Sequence, residues 1–221
     1  MRMYQPALGV LLFAVLAPAA GAQGERRDAG AAYNSPQAVF DAAQAAQKKD
    51  DYKTFVACFT PEAQKDMAAG LAFHALTQQA AARNDEKLRT QLKPILDALT
   101  KNGLTDEVGK KVKLNPASPQ EAEKVQKEVQ GLIKDPAAFA VDLMTAYSRT
   151  EPFNRKPPDM PTPQLTDVKV DGDKARGTIV VKVQGQELKQ PAEFAKVGGS
   201  WKLAPQPQPA PPPRPAGRPG G

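Results

Sequence analysis

Residues 165–203 read LTDVKVDGDKARGTIVVKVQGQELKQPAEFAKVGGSWKL. Within them Lys174–Val183 alternates, with Ala175, Gly177, Ile179, Val181 and Val183 on one face and Arg176, Thr178 and Lys182 on the other. Period-two alternation is the mark of a half-buried strand. Leu165–Val170 alternates ahead of it, and Asp171-Gly172 between the two signals a tight hairpin turn. Gly185-Gln186 turns the chain into Glu187–Val197, where Pro191 predicts a bent strand or an edge. Gly198-Gly199 turns again, and Ser200–Leu203 is a short last strand carrying Trp201. The stretch predicts an antiparallel meander of four strands.

Everything upstream of it reads as helix. Ser35-Pro36 is an N-cap followed by proline, placed where a missing N–H costs nothing. Val39, Phe40, Ala43 and Ala46 then recur at helical spacing, up to the charged step Lys48-Lys49-Asp50-Asp51, which reads as a solvated helix end. A short apolar stretch follows (Tyr52, Phe55, Val56, Cys58, Phe59). Thr60-Pro61-Glu62 starts a helix predicted to bury Met67, Leu71, Phe73 and Leu76. Between 84 and 149 a second helical zone begins. Asn84 is expected to cap a helix with Leu88, Leu92, Ile95, Leu96 and Leu99 on one stripe, kinked at Pro94 and ended by Asn102-Gly103. A short helix is expected around Asp106–Lys113. Ser118-Pro119-Gln120-Glu121 is a capping box, whose helix should bury Ala122, Val125, Val129, Leu132 and Ile133. Asp135-Pro136 opens another, with Phe139, Leu143, Ala146 and Tyr147 on one face. Residues 150–164 hold five prolines and read as an extended connector.

The ends differ in kind. Arg2, the apolar run Ala7–Leu16, Pro18 and Ala20-Gly21-Ala22 compose a secretory signal peptide over residues 1–22, cut before Gln23, with the bond before Gly21 as the alternative. That address implies a secreted or periplasmic chain. Loss of Arg2 takes the net charge from +6 to +5, and no later stretch is apolar enough to span a bilayer. Residues 23–34 read as a flexible leader. The last 17 residues carry eight prolines and three glycines, too little apolar area to fold, and read as a disordered tail of polyproline II character. Between leader and tail, residues 35–204 suffice for one core.

Composition excludes much. One cysteine, Cys58, allows no intrachain disulfide and no Cys-rich metal site, and in FVACF it reads as a small buried apolar residue. One histidine, His74, rules out multi-histidine metal centres. The turn Asp167…Asp171-Gly172-Asp173 fails as a calcium loop, because Lys169 and Thr178 stand at ligand positions. No glycine-rich phosphate loop, G-x-S-x-G or H-E-x-x-H motif is present, so neither metal nor cofactor is expected. The spread positive charge and the exported address argue against nucleic acid as a partner.

Two passages carry a resemblance. The opening SPQAVFDAAQAAQKKDDYKTFVACFTPEA and the close VKVDGDKARGTIVVKV…PAEFAKVGGSWKL, near 35–75 and 165–203, resemble the first helices and last hairpins of NTF2-like (SnoaL-like, cystatin-roll) domains. The resemblance implies an α+β fold, with N-terminal helices packed on the C-terminal four-stranded antiparallel meander and residues 84–149 as a helical insertion. It also implies an apolar pocket between helices and sheet, and sheets that commonly form homodimers. Members include small-molecule binders, isomerases, dehydratases and envelope proteins without assigned activity.

No catalytic motif of that superfamily matches position by position. His74 is the one candidate base, with Tyr52 or Tyr147 as a hydroxyl partner; the competing reading is a hydrogen-bonded, partly buried histidine. Tyr52, Tyr147 and Trp201 are candidate ligand contacts, Trp201 competing with a role as core anchor. In the tail, Pro209–Arg214 matches a P-x-x-P-x-R ligand pattern, set against export and a plain solubilising end. The resulting expectation is an exported noncatalytic module of the cell envelope that binds an apolar small molecule, a peptide or an envelope component. The alternatives are an isomerase or dehydratase, and a structural interaction protein with a filled core.

Overall fold

The computed structural model describes residues 32–112, 114, 118–150, 162–183 and 186–206. The expected signal peptide, the expected leader up to residue 31, most of the proline-rich connector, the Gly185 turn and the tail from 207 onward lie outside the described residues.

All four cap-then-proline signals open helices at the expected residue. Ser35 accepts from the Ala38 amide at 3.1 Å and starts α1 (Pro36–Lys48). Thr60 accepts from the Ala63 amide at 3.2 Å and starts α3 (Pro61–Ala81). Asp135 accepts from the Ala138 amide at 3.0 Å and starts α8 (Pro136–Ser148). The fourth is Ser118, which accepts from the Glu121 amide at 3.2 Å ahead of α7 (Pro119–Leu132). Each satisfies one amide that the first helical turn leaves unpaired. The charged step is itself a cap: Asp51 accepts from the Thr54 amide at 3.1 Å and starts α2 (Tyr52–Ala57).

Several details depart from the sequence expectation. In α3 the buried face is made of Ala63, Ala68, Ala69, Ala72, Ala75, Leu76 and Gln79, while Met67, Leu71 and Phe73 are only partly buried. The helix is surrounded by others, and small side chains let their backbones approach. Asp85, not Asn84, caps α4 (Glu86–Gln91), because Asn84 closes a 3-10 turn and Asp85 has the extended backbone a cap needs. Pro94 does not kink one helix; the chain breaks at Leu92 into α4 and α5 (Lys93–Lys101), since Pro94 has no N–H for the carbonyl of the preceding turn. Leu92, Ile95 and Leu99 still form the buried stripe. Gly103, at φ +81°, ends α5 with the left-handed cap expected. α6 spans Asp106–Lys111. Leu132 is 40% exposed at the end of α7, where Ile133 turns inward instead.

The sheet is the expected meander, β1-β2-β3-β4, antiparallel throughout. Its strands are β1 (Gln164–Asp171), β2 (Lys174–Val183), β3 (Gln186–Val197) and β4 (Ser200–Leu203). The first turn uses Gly172 and Asp173, one position later than the sequence suggests, because Asp171 still pairs with Lys174. β1 carries a bulge between Thr166 and Lys169, with Asp167 at φ +54°. The bulge turns both Leu165 and Val168 over Gly177, where a Cβ would sit 2.8 Å from Leu165 Cδ1 and 3.2 Å from the Thr166 carbonyl oxygen. In β2 both Ile179 and Val180 are buried, so the alternation is not clean, and Val183 at the far end is 36% exposed. Pro191 sits in β3 opposite Thr178, beyond the reach of the four-residue β4, so it faces a local edge.

One continuous cluster of buried side chains joins the parts. It runs from Val39 and Phe40 through Phe55, Leu76, Leu99, Val129 and Phe139 to Ile179, Phe194, Trp201 and Leu203. The protein is thus α+β, with early helices and late strands sharing an interior.

The end of the expected leader is part of that interior. Tyr33 is 3% exposed. Its amide donates to Ser200 Oγ at 2.8 Å, and its carbonyl accepts from the Trp201 amide at 2.9 Å. Lys202 Nζ lies 5.4 Å from its ring centroid. On the same edge of β4 the Leu203 amide donates to the Cys58 carbonyl at 2.8 Å, and the Thr60 amide donates back to the Leu203 carbonyl at 2.8 Å. We predict that Tyr33→Ala costs about 3 kcal/mol, as loss of a buried aromatic does. Tyr33→Phe should cost under about 1 kcal/mol, since it keeps the ring and the backbone bonds. Urea unfolding measures both; equal stability of Tyr33→Ala and the parent chain would refute the anchoring role.

Candidate functional site

α3 and α8 pack side by side, and their contact brings His74 to Tyr147. His74 Nδ1 lies 2.9 Å from the Tyr147 hydroxyl, and the ring centroids are 5.7 Å apart. The hydroxyl donates to Gln78 Oε1 at 3.1 Å. With its proton committed there, the shorter contact is donated by Nδ1–H of a neutral imidazole, whose basic lone pair then lies on Nε2. His74 and Gln78 sit one helical turn apart, which lets both reach one phenol.

Desolvation sets the electrostatics of the pair. It holds the His74 pKa below the ordinary imidazole value and pushes the Tyr147 phenol well above the ordinary phenol value. His74 is nonetheless exposed along one side, and Tyr147 is half-buried. A neutral imidazole beside a neutral phenol can accept or relay one proton.

The other candidates sit elsewhere. The Tyr52 hydroxyl donates to Asp50 Oδ1 at 3.0 Å and also meets Ser148; burial is the main cause of its raised pKa. Its described contacts do not join it to His74. Trp201 is 4% exposed and is packed into the sheet's interior face, with Lys196 Nζ 5.8 Å from its ring centroid. Burial at that level suits a core anchor better than a stacking platform. Cys58 is fully buried; its thiol donates to the Thr54 carbonyl at 3.3 Å, the Tyr33 hydroxyl lies 3.6 Å from its sulfur, and burial raises its pKa, which makes it an unreactive thiol.

Two open grooves complete the geometry. One, of about 510 Å³, lies between α1 and the start of β1; Phe40, Ala45 and Leu165 line it with Gln37, Asp41 and Lys48 at its sides. Gln44 also lines it, 9% exposed, with Nε2 donating to the Pro163 carbonyl at 3.1 Å. Sequence reasoning missed Gln44, although it falls one residue after Ala43 on the buried side of α1. The other groove, of about 460 Å³, lies between α5 and α8; Lys93 pairs there with Asp97 at 2.7 Å and Lys101 with Asp142 at 2.9 Å, and Arg149 also lines it. Among the described residues no three His, Cys, Asp or Glu side chains are grouped to hold a metal ion. No helix among them is long and apolar enough to cross a membrane.

No protein-family model matches the chain, and no curated protein matches it. One solved structure, a Campylobacter jejuni protein named as an NTF2-like transpeptidase, aligns over 52% of this chain and 95% of its own length. The identity is 16% and the TM-score 0.21, too low to equate residues or folds.

His74 is the one histidine, so its titration is directly readable by NMR. We predict a pKa below the ordinary value of about 6.5. In Tyr147→Phe it should stay below, because desolvation and not the hydroxyl sets it. The linked stability is present above pH 6.5 and is lost as pH falls through the folded-state pKa, since the unfolded chain binds the proton more readily. A measured pKa at or above 6.5 would contradict this environment.

Proposed function

We propose that the protein is an exported, noncatalytic binding module of the cell envelope, and that the groove between α1 and β1 holds an apolar small molecule or a peptide. The observation that carries the reading is the placement of that groove. It lies where a helix meets the sheet, lined by Phe40 and Leu165, and the amides of Gln37 and Gln44 are held in place there by Asp41 and the Pro163 carbonyl. A concave, mainly apolar surface with a few placed polar groups is the usual form of a small-ligand site. Deeper in, the space between helices and sheet is filled by Phe139, Phe194, Trp201 and Leu203, which leaves the rim as the place for a ligand. The reading takes residues 1–22 as a cleaved signal peptide and residues 35–204 as one NTF2-like scaffold, with 84–149 as its helical insertion.

A second reading, an isomerase or dehydratase, draws on the His74–Tyr147 contact. It is weaker because that pair lies between two helices, on neither groove's lining.

Ala45 is exposed and lines the groove, so Ala45→Trp should fill it while leaving the buried face of α1 in place. Native mass spectrometry of the protein purified from its exporting host should detect a bound apolar molecule or peptide. The Ala45→Trp protein should lose it, and His74→Ala should retain it. Retention by Ala45→Trp, or loss on His74→Ala with folding intact, would overturn the proposal.

A further inference from the structure

Residues Gln186–Gln190 of β3 read Gln-Glu-Leu-Lys-Gln. Laid against a second copy running the other way, the stretch is complementary to itself about Leu188. Gln186 then faces the partner's Gln190, Glu187 faces the partner's Lys189, and Leu188 faces the partner's Leu188.

The stretch lies on an open edge. β4 pairs with Phe194–Val197 only, and the Ala204 amide ends that ladder by donating to the Glu193 carbonyl at 2.9 Å. The Gln206 amide makes no backbone bond to Pro191, so the described chain leaves the edge there. Among the described residues nothing pairs with the outer side of Gln186–Ala192.

The bonds present fix which groups that edge offers. The Lys196 amide points to β2, donating to the Asp173 carbonyl at 2.8 Å, and the Glu193 carbonyl points the other way. These directions alternate along an antiparallel strand. Glu187 and Lys189 therefore turn both amide and carbonyl outward, and Pro191 a carbonyl alone. Two copies can exchange bonds only between outward-facing residues, which leaves few registers. Centred on Glu187 or on Lys189, the pairing sets like charges opposite each other, which is destabilising. Centred on Gln190, it sets Lys189 against Pro191, which has no amide, and Glu187 against Glu193, whose carbonyl is already taken. Centred on Leu188, it sets Glu187 of each copy against the partner's Lys189 in a hydrogen-bonded pair. Two such pairs form by symmetry, and each joins opposite charges.

The side chains fit the same register. Glu187 lies 3.6 Å from Lys182 and 3.6 Å from Lys189. The partner's Lys189 would continue that alternation of charge across the junction. On the other face Leu188, 53% exposed, would meet the partner's Leu188 in a non-hydrogen-bonded pair, where opposite side chains come closest. Val181 stands beside Leu188 on that face. An edge lysine alone repels a foreign strand; with Glu187 two residues away it selects a copy of itself.

We propose that the outer edge of β3 is a homodimer interface, in which Gln186–Gln190 of two copies pair antiparallel about Leu188 and join the two sheets. The groove between α1 and β1 lies across β2 from this edge, so the inference stands apart from any ligand held there.

Sedimentation of the full chain over a concentration series should show a reversible monomer–dimer equilibrium. Lys189→Glu and Glu187→Lys each set like charges opposite each other twice, and each should weaken the dimer at least about ten-fold. Both residues are exposed, so circular dichroism should show an unchanged fold. Mixed in equal amounts, the two variants should pair with each other as tightly as the parent chain pairs with itself, because one edge is then wholly acidic and the other wholly basic. The double exchange Glu187→Lys with Lys189→Glu should dimerise as well. A parent chain that stays monomeric up to about 1 mM would overturn the proposal. So would a dimer that both single variants retain, which would place the contact elsewhere, or a mixture of the two that stays monomeric.

Discussion

β4 is four residues long, yet three distant parts of the chain depend on it. Its inward amides hold β3, and its outward amides hold Tyr33 on one side and Cys58 on the other. Phe59 and Leu203 form a single parallel bridge there. An outward-facing strand edge is a row of unpaired donors and acceptors, and leaving it buried without partners is costly. The two docked pieces remove that cost and fix the positions of α1, α2 and α3 relative to the sheet. Lys202 adds to the joint by donating to the Ala57 carbonyl at 2.6 Å. No disulfide serves this chain, so backbone bonds at β4 do the fastening.

What was legible in the sequence is what local chemistry decides. Ser35-Pro36, Thr60-Pro61, Ser118-Pro119 and Asp135-Pro136 each mark a helix start, because a side-chain acceptor and a fixed φ act within three residues. The bounds of β2, Lys174–Val183, were legible to the residue, although burial of both Ile179 and Val180 breaks the period of two that pointed to it. What was not legible depends on neighbours far away in sequence. Tyr33 looks like part of a polar leader until β4, at Ser200, comes to meet it. α3 looks amphipathic through Met67, Leu71 and Phe73 until other helices surround it and its alanines become the buried surface. Leu132 looks buried by spacing, but α7 ends there and Ile133 takes the inward place. The bulge at Asp167 goes with the close passage of Leu165 over Gly177, a cross-strand fit that no local pattern records.

The candidate site divides along the same line. His74 and Tyr147 could be named as candidates from their residue types, and Tyr147 also from its place at the end of the Phe139–Leu143 stripe. Their pairing comes from α3 packing on α8, 73 residues apart. Gln78 follows from His74 by helical spacing alone, once one knows which phenol the histidine meets. Gln44 had a weaker signal, a polar residue on the buried side of a helix. Such residues are buried only with a partner, and the Pro163 carbonyl that supplies it lies 119 positions away.

The two edges of the sheet meet the risk of unwanted pairing in different ways. β1, at one edge, is interrupted: Asp167 takes a left-handed backbone at the bulge, and Lys169 and Asp171 leave charge on either side of Val170. A neighbouring strand would have to match that break and bury those charges. Val170, 57% exposed, can therefore stay at the surface without templating a contact. β3 beyond β4 has no bulge, and its outer edge offers Lys189 and Glu187 in regular order. There the only interruption is Pro191, which removes one donor and leaves the rest.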